Sequence, residues 1–301
     1  MTVTILLATR DGARFLPRQL DSYGQQTWTD WHLLASDDGS GDATPAILEG
    51  FRRDHPGRVT LAQGPRAGAA GNFLSLIRRA PDADHTAFSD QDDLWLPGKI
   101  ARAVAMLSDQ PADRPALYAS RVTICDAALR PIGLSPAPTR PPGFRNALVQ
   151  NILHGHSIVL NRAALTLLRQ AAGRGPQVVV HDWWAYQIVT GAGGRIVFDD
   201  ESHVLYRQHG GNQIGAEPDV AGRLTRLRAR RQADWMTANL TALAQAADLL
   251  APDHRTLLDR IARARRAGRM AFAAACLREG LFRQGSGGRL APALAALAGR
   301  L

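Results

Sequence analysis

With 301 residues, 45% of them hydrophobic, the chain has material for one large α/β domain with an appendage, or for two domains. Its two cysteines, Cys125 and Cys276, stand far apart without metal-ligand spacing, which speaks against a disulfide framework and fits a reducing compartment. The net charge of +9 is uneven: residues 221–301 carry 15 Arg against 5 acids, and residues 1–220 carry 21 Lys and Arg against 22 acids.

The N-terminus runs directly into the apolar Val3–Ala8, a strand pattern rather than a signal peptide, and cytoplasmic placement is expected. No apolar run approaches the ~20 residues of a membrane-spanning helix. Strand-like and helix-like runs then alternate, the signature of a largely parallel α/β sheet. A helix starts near Pro17 with Leu16, Leu20 and Tyr23 on one face. Trp31–Ser36 is the second strand, and Thr44-Pro45 supplies a helix N-cap with proline in the first turn. Arg58–Gln63 is the third strand, followed by an amphipathic helix with Phe73, Leu74 and Ile77 inward. Thr86–Ser89 is the fourth, and Ala116–Ile124 reads as one further strand. Five prolines between Pro131 and Pro142 predict a surface loop or lid. His181–Thr190 reads as helix, Arg195–Phe198 and His203–Tyr206 as strands, and everything beyond about residue 221 as helical, broken at Pro252 and at 284–288.

Acids gather after three of the strands: Asp11 after the first, Asp37-Asp38 after the second, and Asp90-Gln91-Asp92-Asp93 after the fourth. Ligands of an open parallel sheet bind at the carboxyl ends of its strands. Strand geometry would project Asp90 and Asp92 to one face. Two acids so placed call for a hard divalent cation such as Mg²⁺ or Mn²⁺, or else form a solvated acidic turn; their spacing leaves both open. No Gly-x-Gly-x-x-Gly or Gly-Lys-Ser/Thr loop follows the first strand, which argues against a dinucleotide-dependent dehydrogenase and a P-loop nucleotidase.

Thr9-Arg10-Asp11-Gly12, Ser36-Asp37-Asp38-Gly39-Ser40 and Ser89-Asp90-Gln91-Asp92-Asp93-Leu94-Trp95 resemble glycosyltransferase family 2, inverting enzymes of the GT-A fold. His181-Asp182-Trp183-Trp184 and Leu205-Tyr206-Arg207-Gln208-His209-Gly210-Gly211-Asn212 are similar to its bacterial rhamnosyltransferase-like members. The resemblance covers roughly residues 2–215. It implies a GT-A catalytic domain over 1–220, with a nucleotide-binding half over about 1–125 and an acceptor half over about 126–220. Residues 221–301 then form a basic helical extension.

By the same resemblance, Thr9, Asp11, Asp37, Asp38, Asp90 and Arg207 would contact the nucleotide of a dTDP- or UDP-linked sugar donor. Asp90 and Asp92, with His209, would hold Mg²⁺ or Mn²⁺, and Asp182 would be the catalytic base. His154, Gly155, Trp183 and Trp184 would face the sugar or a glycan or lipid-linked acceptor, in bacterial surface-polysaccharide assembly. Bland alternatives stand beside these: Asp37-Asp38 as an acidic turn, Asp182 as a helix cap, the tryptophans as core, and the whole as a non-catalytic relative that binds sugar nucleotide or glycan. The arginine-rich segment around Leu224, Leu227 and Trp235 reads either as a helix lying on anionic membrane or as a bundle packed on the catalytic domain. No nucleic-acid motif accompanies the charge, and no nucleic-acid partner is expected.

Overall fold

The run after the N-terminal residues becomes β1 (Val3–Thr9), buried at every position, as expected of a parallel strand covered on both faces. It lies between β2 (Trp31–Asp37) and β4 (His85–Ser89), both parallel to it, and β3 (Val59–Gln63) pairs outside β2. Helices α1 (Leu16–Gly24), α2 (Thr44–Asp54) and α3 (Gly68–Arg79) connect these strands. The inward faces are those the periodicity predicts: Leu16, Leu20 and Tyr23 on α1, and Phe73, Leu74 and Ile77 on α3, are buried. The computed structural model describes residues 1–209, 235–285 and 287–301. Gly210–Asn212 and the arginine-rich segment with Leu224 and Leu227 lie outside the described residues.

Three further strands, β6 (Ala116–Ser120), β9 (Val159–Asn161) and β10 (Arg195–Asp199), complete a seven-stranded sheet ordered β10-β6-β9-β4-β1-β2-β3. β9 runs antiparallel to both neighbours. A second sheet, of order β5-β11-β7-β8, is built from β5 (Leu94–Trp95), β7 (Thr123–Cys125), β8 (Pro131–Leu134) and β11 (Val204–Arg207). Helices α4 (Lys99–Ser108), α5 (Phe144–Ala147), α6 (Arg162–Ala172) and α7 (His181–Gly191) pack around them.

Several expectations change. The single strand expected over Ala116–Ile124 is two strands in different sheets. At the break, Ser120 N–H donates to Ser157 Oγ and Val122 N–H to Ser135 Oγ, so side-chain oxygens replace the ladder there. The proline-rich stretch opens with β8, an exposed edge strand whose proline sits at its first residue, where no ladder donor is required. Thr44 is the first residue of α2 rather than its cap, and its hydroxyl accepts the Gly12 N–H at 2.8 Å.

The C-terminal part contributes a helix over 235–244 (α8), then α9 (Pro252–Arg266), α10 (Arg269–Arg278) and α11 (Leu290–Leu297). Met236, Leu240, Leu243, Leu257, Leu258, Ile261 and Phe272 join the same apolar cluster as Leu148, Leu168, Trp184 and Ile188. Residues 235–301 therefore pack against the sheet-bearing part through a shared core.

Candidate active site

The loops at the carboxyl ends of β1, β2 and β4 converge. Gln91 ties two of them: its amide accepts the Arg10 N–H and donates to the Arg10 carbonyl, both at 2.8 Å. The clamp needs glycine beneath it, since a Cβ at Gly12 would stand 2.3 Å from Gln91 Oε1. Asp11, in the left-handed region at φ 48°, accepts Gly41 N–H from the next loop.

Asp37 and Asp38 are largely consumed in shaping the backbone. Asp37 accepts from Thr9 Oγ1, Ser40 Oγ and the N–H groups of Gly39 and Ser40. Asp38, 2% exposed, accepts Arg66 N–H at 2.6 Å and Gly68 N–H at 2.8 Å, fixing the loop between β3 and α3. Thr9 is buried, with its hydroxyl between Ser36 O and Asp37. Asp11 is the exposed acid of this group.

The acids after β4 are assembled by the second sheet. β11 pairs antiparallel with β5, Leu205 opposite Leu94 and Val204 opposite Trp95. Continued beyond Leu205, that register carries Arg207 and His209 toward the acids. Arg207 N–H donates to Asp93 Oδ1 at 3.1 Å, its Nε to the Asp92 carbonyl at 2.8 Å, and its Nη1 to the Ala127 carbonyl at 2.7 Å. Arg207, expected at the nucleotide, is 2% exposed and braces the acidic turn through these bonds. His209 Nε2 lies 2.8 Å from Asp92 Oδ2 and its ring packs on Phe15.

A second pairing was not foreseen. His156 Nδ1 stands 3.0 Å from Asp93 Oδ2 and 3.5 Å from Asp90 Oδ2. Asp90, Asp93 and His156 each offer a ligand atom, all within 4.8 Å of one another. That separation is close to twice the ~2.1 Å metal–oxygen distance, so one divalent ion could span the group with small adjustment. His156 is presented by the short turn Gly155–Ser157 and stacks on Tyr206, 4.9 Å between centroids. No local spacing announces this contact, which tertiary pairing alone creates.

The electrostatics favour a cation. Burial raises the Asp90 carboxyl to about 6. Burial and Asp90 raise Asp92, against the pull of His209, and burial with both neighbouring acids holds Asp93 well above the carboxylate range. Burial pushes His156 down to about 3, leaving a neutral imidazole with a lone pair to offer. Lys99 is the chain's single lysine, 1% exposed and lying over Trp95 at 3.6 Å. Burial lowers it to about 7 against the field of Asp93. Three acids so crowded lack positive charge, and oxygen and imidazole donors suit a hard divalent ion.

Asp182 lies in the first turn of α7, where the helix dipole favours a carboxylate. It is not the N-cap; that position is Val180. Its Oδ1 accepts Trp183 N–H at 2.6 Å and its Oδ2 accepts Gly155 N–H at 3.1 Å. A Cβ at Gly155 would fall 2.9 Å from His181 Nε2, so glycine permits this approach. Burial raises Asp182 to about 6, Asp90 adding to the rise, while Asn151 and the two N–H groups oppose it. A carboxylate so tuned accepts a proton near neutral pH.

His154 is half-buried and packs toward His156 and Tyr206. Trp183 and Trp184, expected to stack on sugar, are 3% and 1% exposed. Trp183 Nε1 donates to the Ala147 carbonyl at 2.7 Å inside the core, so neither indole offers a face to a ligand.

Residues 4–165, more than half of the chain, match the family model described as Glycosyl transferase family 2. The dTDP-rhamnosyl transferase RfbG of Shigella flexneri is 27% identical over 249 residues, 80% of this chain and 84% of that protein. Among solved structures, the S. aureus TarS 1–349 complex with UDP-GlcNAc superposes with TM-score 0.60 at 12% identity, covering 93% of this chain and 81% of the other. The mannosyltransferase PcManGT from Pyrobaculum calidifontis, in complex with GDP-Man and Mn2+, gives 0.53 at 20% identity over 98% and 74%. These likenesses establish the GT-A fold.

Proposed function

The chain belongs to glycosyl transferase family 2, and from that premise we propose that it is a metal-dependent inverting enzyme acting on a nucleotide-diphospho-sugar. The sugar passes to a hydroxyl of a glycan or lipid-linked acceptor in bacterial surface-polysaccharide synthesis. The observation that carries this reading is Asp182, a carboxyl raised to about 6 within the field of Asp90. In the proposed step, Asp182 takes the proton of the acceptor hydroxyl as its oxygen attacks the anomeric carbon. The bond from that carbon to the diphosphate oxygen breaks with its electron pair, inverting the configuration.

Asp90 and Asp92 with His209, joined by Asp93 and His156, would hold Mg²⁺ or Mn²⁺, which when bound offsets the charge of the diphosphate. Around it, Arg207 keeps Asp92 and Asp93 aimed by gripping the backbone of their turn. Thr9, Asp11, Asp37 and Asp38 would form the nucleotide side, Asp11 as the acid open to ribose or base and the others as its rigid wall. His154 and Gly155 would border the acceptor. The catalytic part is proposed to span 1–220, divided near residue 125, with 221–301 appended.

The name of the Shigella flexneri relative supports dTDP-L-rhamnose as donor, with a UDP-hexose next. A thermal-shift screen of dTDP- and UDP-sugars with Mg²⁺ or Mn²⁺, followed by product analysis, tests the reading. A metal-dependent shift and a product of inverted anomeric configuration are expected. A retained configuration, or binding without turnover on any glycan acceptor, would overturn it.

A further inference from the structure

Helix α11 is amphipathic in the wrong sense for a water-facing helix. It turns Pro292, Ala293 and Ala296 inward, and its leucines outward: Leu290 is 62% exposed, Leu294 64% and Leu297 49%. Positions i, i+4 and i+7 fall on one face, so the three form a stripe. The preceding α10 does the same with Met270, 81% exposed, and Leu277, 48% exposed, seven residues apart. Arg269 lies against Gly299, where a Cβ would fall 2.9 Å from its Cζ, which sets Met270 and Leu297 at the same end of the α10–α11 hairpin. A soluble surface rarely gathers bulky apolar side chains in this way without an occupant.

The charges around the stripe identify it. Arg289 and Arg300 flank α11 and are exposed, Arg269 lies at its far end, and Arg140 reaches the glycine turn before it at Gly288. Beside Leu277, Arg278 joins Arg260 and Arg263 in lining an open groove of about 670 Å³. Glu279 is the only acid in 267–301, and Arg260 and Arg278 already pair with it. A symmetric contact between two copies would bring these arginines against their own equivalents, which like-charge repulsion disfavours. A surface that accepts leucines and presents anions satisfies both features.

We propose that the α10–α11 hairpin docks on an anionic lipid bilayer, with Leu290, Leu294, Leu297 and Met270 in the acyl boundary and the surrounding arginines on headgroup phosphates. The proposed contact falls within residues 221–301, on the C-terminal hairpin. It also brings the enzyme to where a lipid-linked acceptor resides.

The full chain is floated with vesicles of phosphatidylglycerol and phosphatidylcholine, and with phosphatidylcholine alone. Wild type should bind the anionic vesicles and lose them as salt rises. The L290Q/L294Q/L297Q variant should lose partition by about tenfold or more. Arg289→Ala and Arg300→Ala should each cost about fivefold, on anionic vesicles only. Unchanged flotation of the leucine variant refutes the proposal. A fall from dimer to monomer on light scattering, with flotation unaltered, assigns the stripe to a second copy instead. Donor-induced thermal shifts should be equal in all variants, so a failure of the transferase reading would show there and not in flotation.

Discussion

Replacing Asp182 by Asn separates a catalytic base from a structural carboxyl, because the two roles predict opposite stability effects. In the folded chain Asp182 titrates at about 6, raised from 3.8. A rise of about two units means that ionising it in place costs on the order of 3 kcal/mol. With the folded value above the unfolded one, this cost is absent below about pH 4, grows between 4 and 6, and is complete above 6. Asn keeps an oxygen for Gly155 N–H or Trp183 N–H and carries no charge. Asp182→Asn should therefore melt at or above the wild-type temperature at pH 8, with the two converging toward pH 4.5. Transfer should meanwhile fall by about 10²–10⁴, the usual contribution of a general base. Donor affinity should hold if Asp182 acts on the acceptor hydroxyl, as proposed. Melting curves at both pH values, donor titration and initial rates together make the assay. Turnover within tenfold of wild type, or a variant less stable at pH 8, would show that Asp182 only braces α7 and Gly155.

The wild-type kcat/KM should rise with pH through about 6 and level above it, following ionisation of Asp182; a profile flat from pH 5 to 8 removes that assignment. Because Asp90 is raised to about 6 and Asp92 and Asp93 are raised with it, the cation-free protein should lose stability as pH climbs from about 4 through 6. Added Mn²⁺ should then raise the melting temperature more at pH 8 than at pH 5.5, and equal shifts would argue against a metal at these acids. His209→Ala removes the partner 2.8 Å from Asp92 and should weaken metal-dependent donor binding about tenfold or more, read by calorimetry. Gly12→Ala drives a methyl into Gln91 and should destabilise by about 1–3 kcal/mol. The double variant with Gln91→Ala should recover much of that loss, and no recovery would place the strain elsewhere.

What the sequence disclosed is what local patterning encodes. The buried run of β1, the inward faces of α1 and α3, and the acids after three of the strands follow from side-chain period and strand polarity, without knowledge of any long-range contact. His156 was beyond that reach: its meeting with Asp93 depends on the turn before β9 crossing to the end of β4. The tryptophans misled for a related reason. An indole looks the same in sequence whether it stacks on sugar or fills a core, and only the packing of α7 against Ala147 decides. Arg207 was placed in the right neighbourhood, but that Nε and Nη1 of its guanidinium would turn to backbone carbonyls was not legible in sequence.

That grip explains why the acids can be so crowded. Left alone, Asp90, Asp92 and Asp93 would repel one another and splay the turn. The strand pairing of β5 with β11 prevents this, since it delivers Arg207 and His209 to the turn as a consequence of register. Lys99 and His156 close the other side, and burial depresses both, so neither brings a full positive charge to the acids. The acids are held in place by backbone grip and only partly neutralised. Such a turn is rigid before ligand arrives and still short of positive charge, the condition under which a divalent ion binds most favourably. Loosening the grip should thus cost metal affinity even where no ligand atom is touched: Arg207→Met, which keeps the volume and removes the donors, should weaken Mn²⁺ binding while His209 and all three acids remain. Unaltered Mn²⁺ affinity in that variant would mean that the acids hold their arrangement without the arginine.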